Sequence, residues 1–145
     1  MELSSTVEIL LVEDNEDDSI LISEVFADAR LATVINRVRD GEEGLAYLRR
    51  EGSYRNARRP GLVLLDINMP RKNGFEMLAE MKSDAELQSL PVVMLTMSER
   101  EEDVLRSYKQ GACSYVKKPV NLGDFKRVVN QFQTYWTQVV RIPAN

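Results

Sequence analysis

The sequence predicts an α/β fold of (βα)5 type, in which five parallel strands form a doubly wound sheet with helices on both faces. Three observations carry that prediction. Apolar runs suited to buried strands alternate along the 145 residues with stretches of helical period. The runs LVLLD and VVMLT are too uniformly apolar for half-exposed edges, as expected of strands covered on both sides. No repeat, low-complexity tract or interior linker interrupts the alternation, so strand and helix succeed one another in a single parallel sheet.

Val7 to Val12 (VEILLV) reads as the first strand, ending in Glu13 and Asp14. A helix follows from about Asp17 to Ala29, with Ile20, Ile22, Val25 and Phe26 at helical spacing. Glu16, Asp17 and Asp18 fall in its first turn, where the helix dipole favours acids. Thr33 to Val38 reads as a weaker strand, and a second helix from about Gly41 to Arg50 carries Leu45 and Leu48. Glu51 to Pro60 (EGSYRNARRP) is a polar, basic connection.

The strongest strand is Leu62 to Asp66, after which Pro70 and Asn73-Gly74 mark a turn. A third helix carries Phe75, Met77, Leu78 and Met81. Pro91 opens the run that ends at Thr96. A fourth helix runs from about Glu99 to Gln110 and stops at Gly111, a suitable residue for the position after a helix end. A short fifth strand, Ser114 to Val116, meets Lys117-Lys118-Pro119. The last helix extends from about Leu122 towards Val140, with Phe125, Val128, Val129, Phe132, Tyr135 and Trp136 at three- and four-residue steps.

Composition narrows the chemistry. With 43% hydrophobic residues, 29% charged residues and a net charge of −4, the chain has the makings of one folded domain, its core about residues 7–141. A mildly acidic chain has no bulk attraction for nucleic acid or anionic membrane, and no apolar run approaches bilayer length. The N-terminus lacks the pattern of a signal peptide, and Cys113 stands alone, which fits a cytoplasmic protein with no intrachain disulfide. The chain has no histidine. That removes Ser-His-Asp and Cys-His catalysis, the usual zinc sites, and a phosphohistidine on this chain. Carboxylates, lysine, hydroxyls and a hard metal ion are what remain.

In a parallel sheet the working site lies beyond the carboxyl ends of the strands. Those ends carry Glu13 and Asp14, then Asp66, then Thr96, and Lys118 just past the fifth strand. Carboxylates about 4 Å apart at an effective dielectric near 20 repel by roughly 4 kcal/mol per pair. Three of them on one edge call for a cation. Oxygen ligands alone favour Mg2+ over softer metals, and Lys118 adds a positive charge near the same place.

The ordered segments VEDN, LLDINMP, VVMLT and YVKKP resemble the response-regulator receiver family of two-component signalling, over nearly the whole chain. The resemblance implies a flavodoxin-like sheet and matches the family's acidic pair to Glu13 and Asp14, and its phospho-accepting aspartate to Asp66. It matches the switch threonine to Thr96, the switch aromatic to Tyr115 and the lysine to Lys118. It also implies Mg2+ held by Glu13, Asp14, Asp66 and the backbone carbonyl of Asn68, and a cis bond before Pro119. The donor implied is a phosphohistidine on a sensor histidine kinase. The basic loop before LVLLDINMP, the stretch SDAELQSLPVVMLT and a C-terminal helix ending in YW and then IP are similar to the single-domain regulators associated with phytochromes. That similarity implies a phytochrome-type kinase as partner.

On this reading Asp66 is phosphorylated, Thr96 moves inward and Tyr115 swings. The face made by the fourth helix, fifth strand and fifth helix then changes. No enzymatic activity is expected beyond self-phosphorylation and self-dephosphorylation, and no output domain is expected. Two departures stand out: Glu13 is a methylene longer than the aspartate frequent in the family, and Met97 follows Thr96 where small residues are common. Arg55, Arg58, Arg59, Arg71 and Lys72 are either solvated or a docking patch for the partner. A last helix of roughly 20 residues spans about 30 Å, which leaves Phe132, Tyr135, Trp136 and Val139 to a homodimer contact through that helix and the switching face. Three other classes fit less well. An aspartate-nucleophile hydrolase lacks its second acid, since Asn68 stands there; a flavin binder would not carry EDNEDD where a phosphate must sit. A scaffold independent of phosphorylation would lose an acid or the lysine.

Overall fold

The order in which the strands pair decides where their carboxyl ends meet. In the computed structural model, which describes residues 7–28, 33–96, 101–112, 114–118, 123 and 127, the elements follow the predicted alternation. They are β1 (Val7–Val12), α1 (Glu16–Asp28), β2 (Thr33–Val38), α2 (Gly41–Leu48), a 3-10 turn (Gly52–Tyr54), β3 (Leu62–Asp66), α3 (Gly74–Lys82), β4 (Val92–Thr96), α4 (Glu101–Lys109) and β5 (Ser114–Lys117). The five strands form one parallel sheet in the order β2-β1-β3-β4-β5. That is the flavodoxin-like order, and its direction reverses between β1 and β3, the switch point outside whose carboxyl ends such sheets place their working site. Of the expected last helix at 122–140 only residues 123 and 127 are described, both helical; the rest of it lies outside the described residues, as do Met97, Cys113 and Pro119. Among the described residues no helix is long and apolar enough to cross a membrane.

The continuous apolar runs follow from burial on both faces. Leu10, Val12, Val63 and Leu65 point into a core shared with Leu45 of α2 and with Met77, Leu78 and Met81 of α3. Their alternating neighbours Ile9, Leu11, Leu62 and Leu64 are buried too. On that second face α1 lies beside β2, and Ser19 and Ile20 line a groove with Leu11 and Ile35. Neither face is left to water, so the period-two signal of a half-exposed strand is lost.

Helix ends obey local chemistry. Asp40 caps α2 by accepting from the Glu43 amide at 2.9 Å. Asn73 and Glu76 form a reciprocal capping box at the start of α3. Gly111, at φ 97°, ends α4, and the Ala112 amide bonds Ser107 O at 3.0 Å. Helix α2 stops two residues short of the sequence expectation. Arg50 takes a left-handed φ of 56°, and Glu51 N bonds Ala46 O at 2.9 Å, closing the helix the way a glycine would. The basic connection that follows is anchored: the Tyr54 hydroxyl donates to Glu43 at 2.7 Å, and its ring centroid lies 5.3 Å from that of Tyr47.

The start of α3 is pressed against the end of β3. Gly74 N donates to Ile67 O at 2.9 Å. A Cβ on Gly74 would collide with the carbonyl oxygen of Asp66 and sit 2.9 Å from Ile67 Cα. Both obstacles are backbone, which cannot turn aside. Gly74→Ala should therefore cost about 1–3 kcal/mol, the usual penalty for overpacking. Urea unfolding monitored by circular dichroism measures it, and a midpoint equal to wild type would show that the approach is not tight.

Candidate functional site

The two acids after β1 are held by main-chain bonds. Glu13 N donates to Val38 O at 3.0 Å, extending the β1–β2 ladder by one residue. The chain then bends into α1, where Asn15 Oδ1 accepts from the Asp18 amide at 2.9 Å and Asn15 N donates to Glu13 Oε2 at 3.2 Å. Arg37 of β2, in register with Leu11, reaches across with Nε to Glu13 O at 3.0 Å and Nη2 to Asp14 O at 3.1 Å. Asp66 closes β3, and its Oδ1 accepts weakly from Asn68 N at 3.4 Å. Lys118 follows β5 and turns its ammonium towards these acids. Its Nζ lies 2.7 Å from Glu13 Oε1, 3.0 Å from Asp18 Oδ2 and 3.4 Å from Asp66 Oδ2.

Burial makes this arrangement consequential. Glu13 is 0% exposed, Asp66 3% and Lys118 7%, whereas Asp14 is open to solvent. Oxygen atoms of Glu13, Asp14 and Asp66 all lie within 4.8 Å of one another. Three hard oxygen donors at that spacing, one of them exposed and able to admit water, fit a small divalent cation.

The charges press on each other's titration. Burial, a hydrogen bond that the protonated Asp66 carboxyl donates to the Glu13 carboxylate, and the Glu13 charge push Asp66 up to about 7, against the opposing pull of Lys118 and the Asn68 amide. For Lys118, burial opposes the charged form. The Glu13 and Asp18 carboxylates that accept its hydrogen bonds, with the charges of Asp66 and Glu13, outweigh burial and raise its pKa.

Glu13, Asp14, Asp66 and Lys118 thus come together from three separated segments. Thr96 ends β4 in register with Lys117, the residue before Lys118. Tyr115, in register with Met94 of β4, is half-buried against the main core. Asn68 is exposed two residues beyond Asp66. Of the basic residues expected near the site, Arg71 pairs with Asp40 and Lys72 with Glu80, so both serve contacts within the chain. Arg59 reaches Ser89 at 3.4 Å, and Arg55 and Arg58 are exposed. Sequence reasoning missed Asp18 and Arg37. The available signals were that Asp18 lies one helical turn after Asp14, and that Arg37 is a cation near the end of the strand expected beside β1.

The family model described as "Response regulator receiver domain" matches residues 9–130. Response regulator Rcp1 of Synechocystis sp. is 41% identical over 136 residues, covering 94% of this chain and 92% of that protein. A crystal structure of the Mn2+-bound form of Rcp1 superposes with a TM-score of 0.76 at 40% identity, covering 95% of this chain and 99% of that one. The phosphorylated cyanobacterial phytochrome response regulator RcpA gives a TM-score of 0.78 at 43% identity, with the same coverage of 95% and 99%.

A pH dependence follows from Asp66. Its folded-state pKa of about 7 stands above the ordinary 3.8, so folding favours the protonated form. In the absence of divalent ions, the stability contributed by that proton is full below pH 3.8, declines as pH rises, and is gone above about 7. Urea midpoints in a chelating buffer should show wild type losing ground to Asp66→Asn across this window. Parallel pH profiles for the two proteins would contradict it.

Proposed function

Because the chain belongs to the response-regulator receiver family, we propose that Asp66 accepts a phosphoryl group from a sensor histidine kinase in a Mg2+-dependent reaction. The observation that carries this reading is the position of one buried carboxylate, Asp66, between an acidic pair and an ammonium 3.4 Å away. An ionised Asp66 oxygen attacks phosphorus, the P–N bond to the donor histidine breaks with its electron pair staying on nitrogen, and the ring, protonated on its other nitrogen, leaves as neutral imidazole. Glu13, Asp14, Asp66 and the Asn68 backbone carbonyl are the proposed holders of the ion. When bound, Mg2+ supplies the positive charge that lets an anionic carboxylate approach an anionic phosphoryl group. Lys118 bonds one phosphoryl oxygen and the Thr96 hydroxyl another, which orients the group and spreads its charge.

The acyl phosphate brings about −1.5 to −2 charge to the edge of the sheet. Thr96 is drawn inward by it, and Tyr115 takes the space released, so the face of α4, β5 and the last helix shifts population between two states. Likeness to a phytochrome response regulator supports a phytochrome-type kinase as the donor. The chain acts as a single cytoplasmic receiver domain over 1–145, and two copies associate through that face. Exposed Leu105 and Tyr108 on α4, both about half accessible (51% and 50%), supply apolar surface for the contact.

Incubation with acetyl phosphate and Mg2+, read by intact mass, should add one phosphoryl group to wild type and none to Asp66→Asn. Omitting the ion should abolish the gain. Wild type that stays unmodified by both acetyl phosphate and a cognate kinase would overturn the reading. For the dimer, Leu105→Asp with Tyr108→Asp should lower the mass found by light scattering to that of one chain. A wild type that is monomeric at high concentration, phosphorylated or not, would count against association.

A further inference from the structure

A lysine ammonium has three donors and no acceptor, so three acceptors complete its shell. Around Lys118, Glu13 at 2.7 Å and Asp18 at 3.0 Å accept its hydrogen bonds, and the Asp66 carboxylate lies 3.4 Å away as a third charge partner. Two of the three have other duties in the reaction proposed above. Glu13 shares the close oxygen cluster with Asp14 and Asp66, where a cation would compete for its charge. Asp66 gives up its carboxylate charge on becoming an acyl phosphate. Among the described residues Asp18 alone touches the ammonium without belonging to that cluster. Its place is fixed independently: its own amide donates to Asn15 Oδ1 at 2.9 Å, in the first turn of α1, where the helix dipole favours an anion.

We propose that Asp18 is a positioning residue for phosphoryl transfer, which keeps the Lys118 ammonium at the acceptor while its other two carboxylate partners change role. This rests on the phospho-acceptor reading of Asp66. The side chain of Asp18 is 29% exposed, so the contact is no isolated interior pair. Its value lies in direction: a four-carbon stem pinned at its tip presents its remaining donors to the phosphoryl oxygens instead of sampling solvent. A plain surface ion pair tying α1 to the end of β5 would affect stability alone, so the test must read more than folding.

Three measurements separate these roles in the full chain. Phosphorylation by acetyl phosphate with Mg2+ should slow about tenfold in Asp18→Ala, the size of one charge-assisted hydrogen bond. The affinity for Mg2+, read by calorimetric titration, should not change. Asp18→Asn, which keeps an acceptor oxygen, should recover part of the rate. In a Lys118→Ala background, Asp18→Ala should bring no further loss. In the ion-free protein, the nitrogen-15 ammonium resonance of Lys118 should exchange its protons faster in Asp18→Ala than in wild type. Full rate in Asp18→Ala, an undiminished loss in the Lys118→Ala background, or weakened ion binding that accounts for the loss would each overturn the assignment. A wild type that accepts no phosphoryl group would instead overturn the acceptor reading itself, so the two failures are told apart.

Discussion

The structure is organised around charges that water cannot reach. Glu13, Asp66 and Lys118 are nearly inaccessible, and two carboxyl groups and one ammonium are gathered there, Lys118 lying 2.7 Å from Glu13 and 3.4 Å from Asp66. Removing one partner from such a buried set commonly costs about 3–5 kcal/mol, because the remaining charge is stranded. The strand order answers that constraint. Placing β1 beside β3 brings Glu13 to Asp66, and the aliphatic stem of Lys118 covers the lateral distance from β5 while its head stays among the oxygens. Arg37 adds two bonds to the carbonyls of the acidic pair, so the bend after β1 is held from the neighbouring strand as well as by its own ladder.

Much of this was legible before any coordinates. Strands β1 and β3 match their predicted spans because runs buried on both faces have sharp polar ends, and β2 matches although it is an edge strand with Val34 exposed. Gly111 and Asn73 announced helix termini by chemistry that few other residues perform. Arg50 did not, since an arginine in a left-handed conformation leaves no mark in composition. The acids and the lysine were visible because strand ends in a parallel sheet share an edge. Asp18 was hidden by a sufficient local reason, its fit to the helix dipole, while its partner lies 100 residues away. Arg37 looked like an ordinary polar residue of a weaker strand, and its contacts span 23 and 24 residues. Arg71 and Lys72 looked available to a partner, and only the packing of α2 beside α3 reveals Asp40 and Glu80 as theirs.

Asp66 is also mechanically continuous with the helices beyond it. The first turn of α3 abuts the backbone of Asp66 and Ile67 at Gly74. The next residue, Phe75, carries the Arg106 guanidinium of α4 4.1 Å above its ring, and its carbonyl accepts from Gln110 at 3.1 Å. A change of charge at the end of β3 therefore acts on a stretch of backbone already in contact with α4 through a stacked cation and a side-chain amide. This contiguity supplies a physical medium for two-state coupling, in which packed elements exchange one arrangement for another.

Glu13 and Lys118 are separated by 105 residues. During synthesis the acids therefore emerge from the ribosome long before the lysine that neutralises them. A nascent chain long enough to pair β1 with β3 would bring Glu13 and Asp66 together with no ammonium between them. Until the fifth strand arrives, their mutual repulsion is relieved by a proton on Asp66 or by a cation among the acids. A polypeptide interrupted before residue 118 therefore lacks the ammonium that touches Glu13 and Asp18 in the complete sheet.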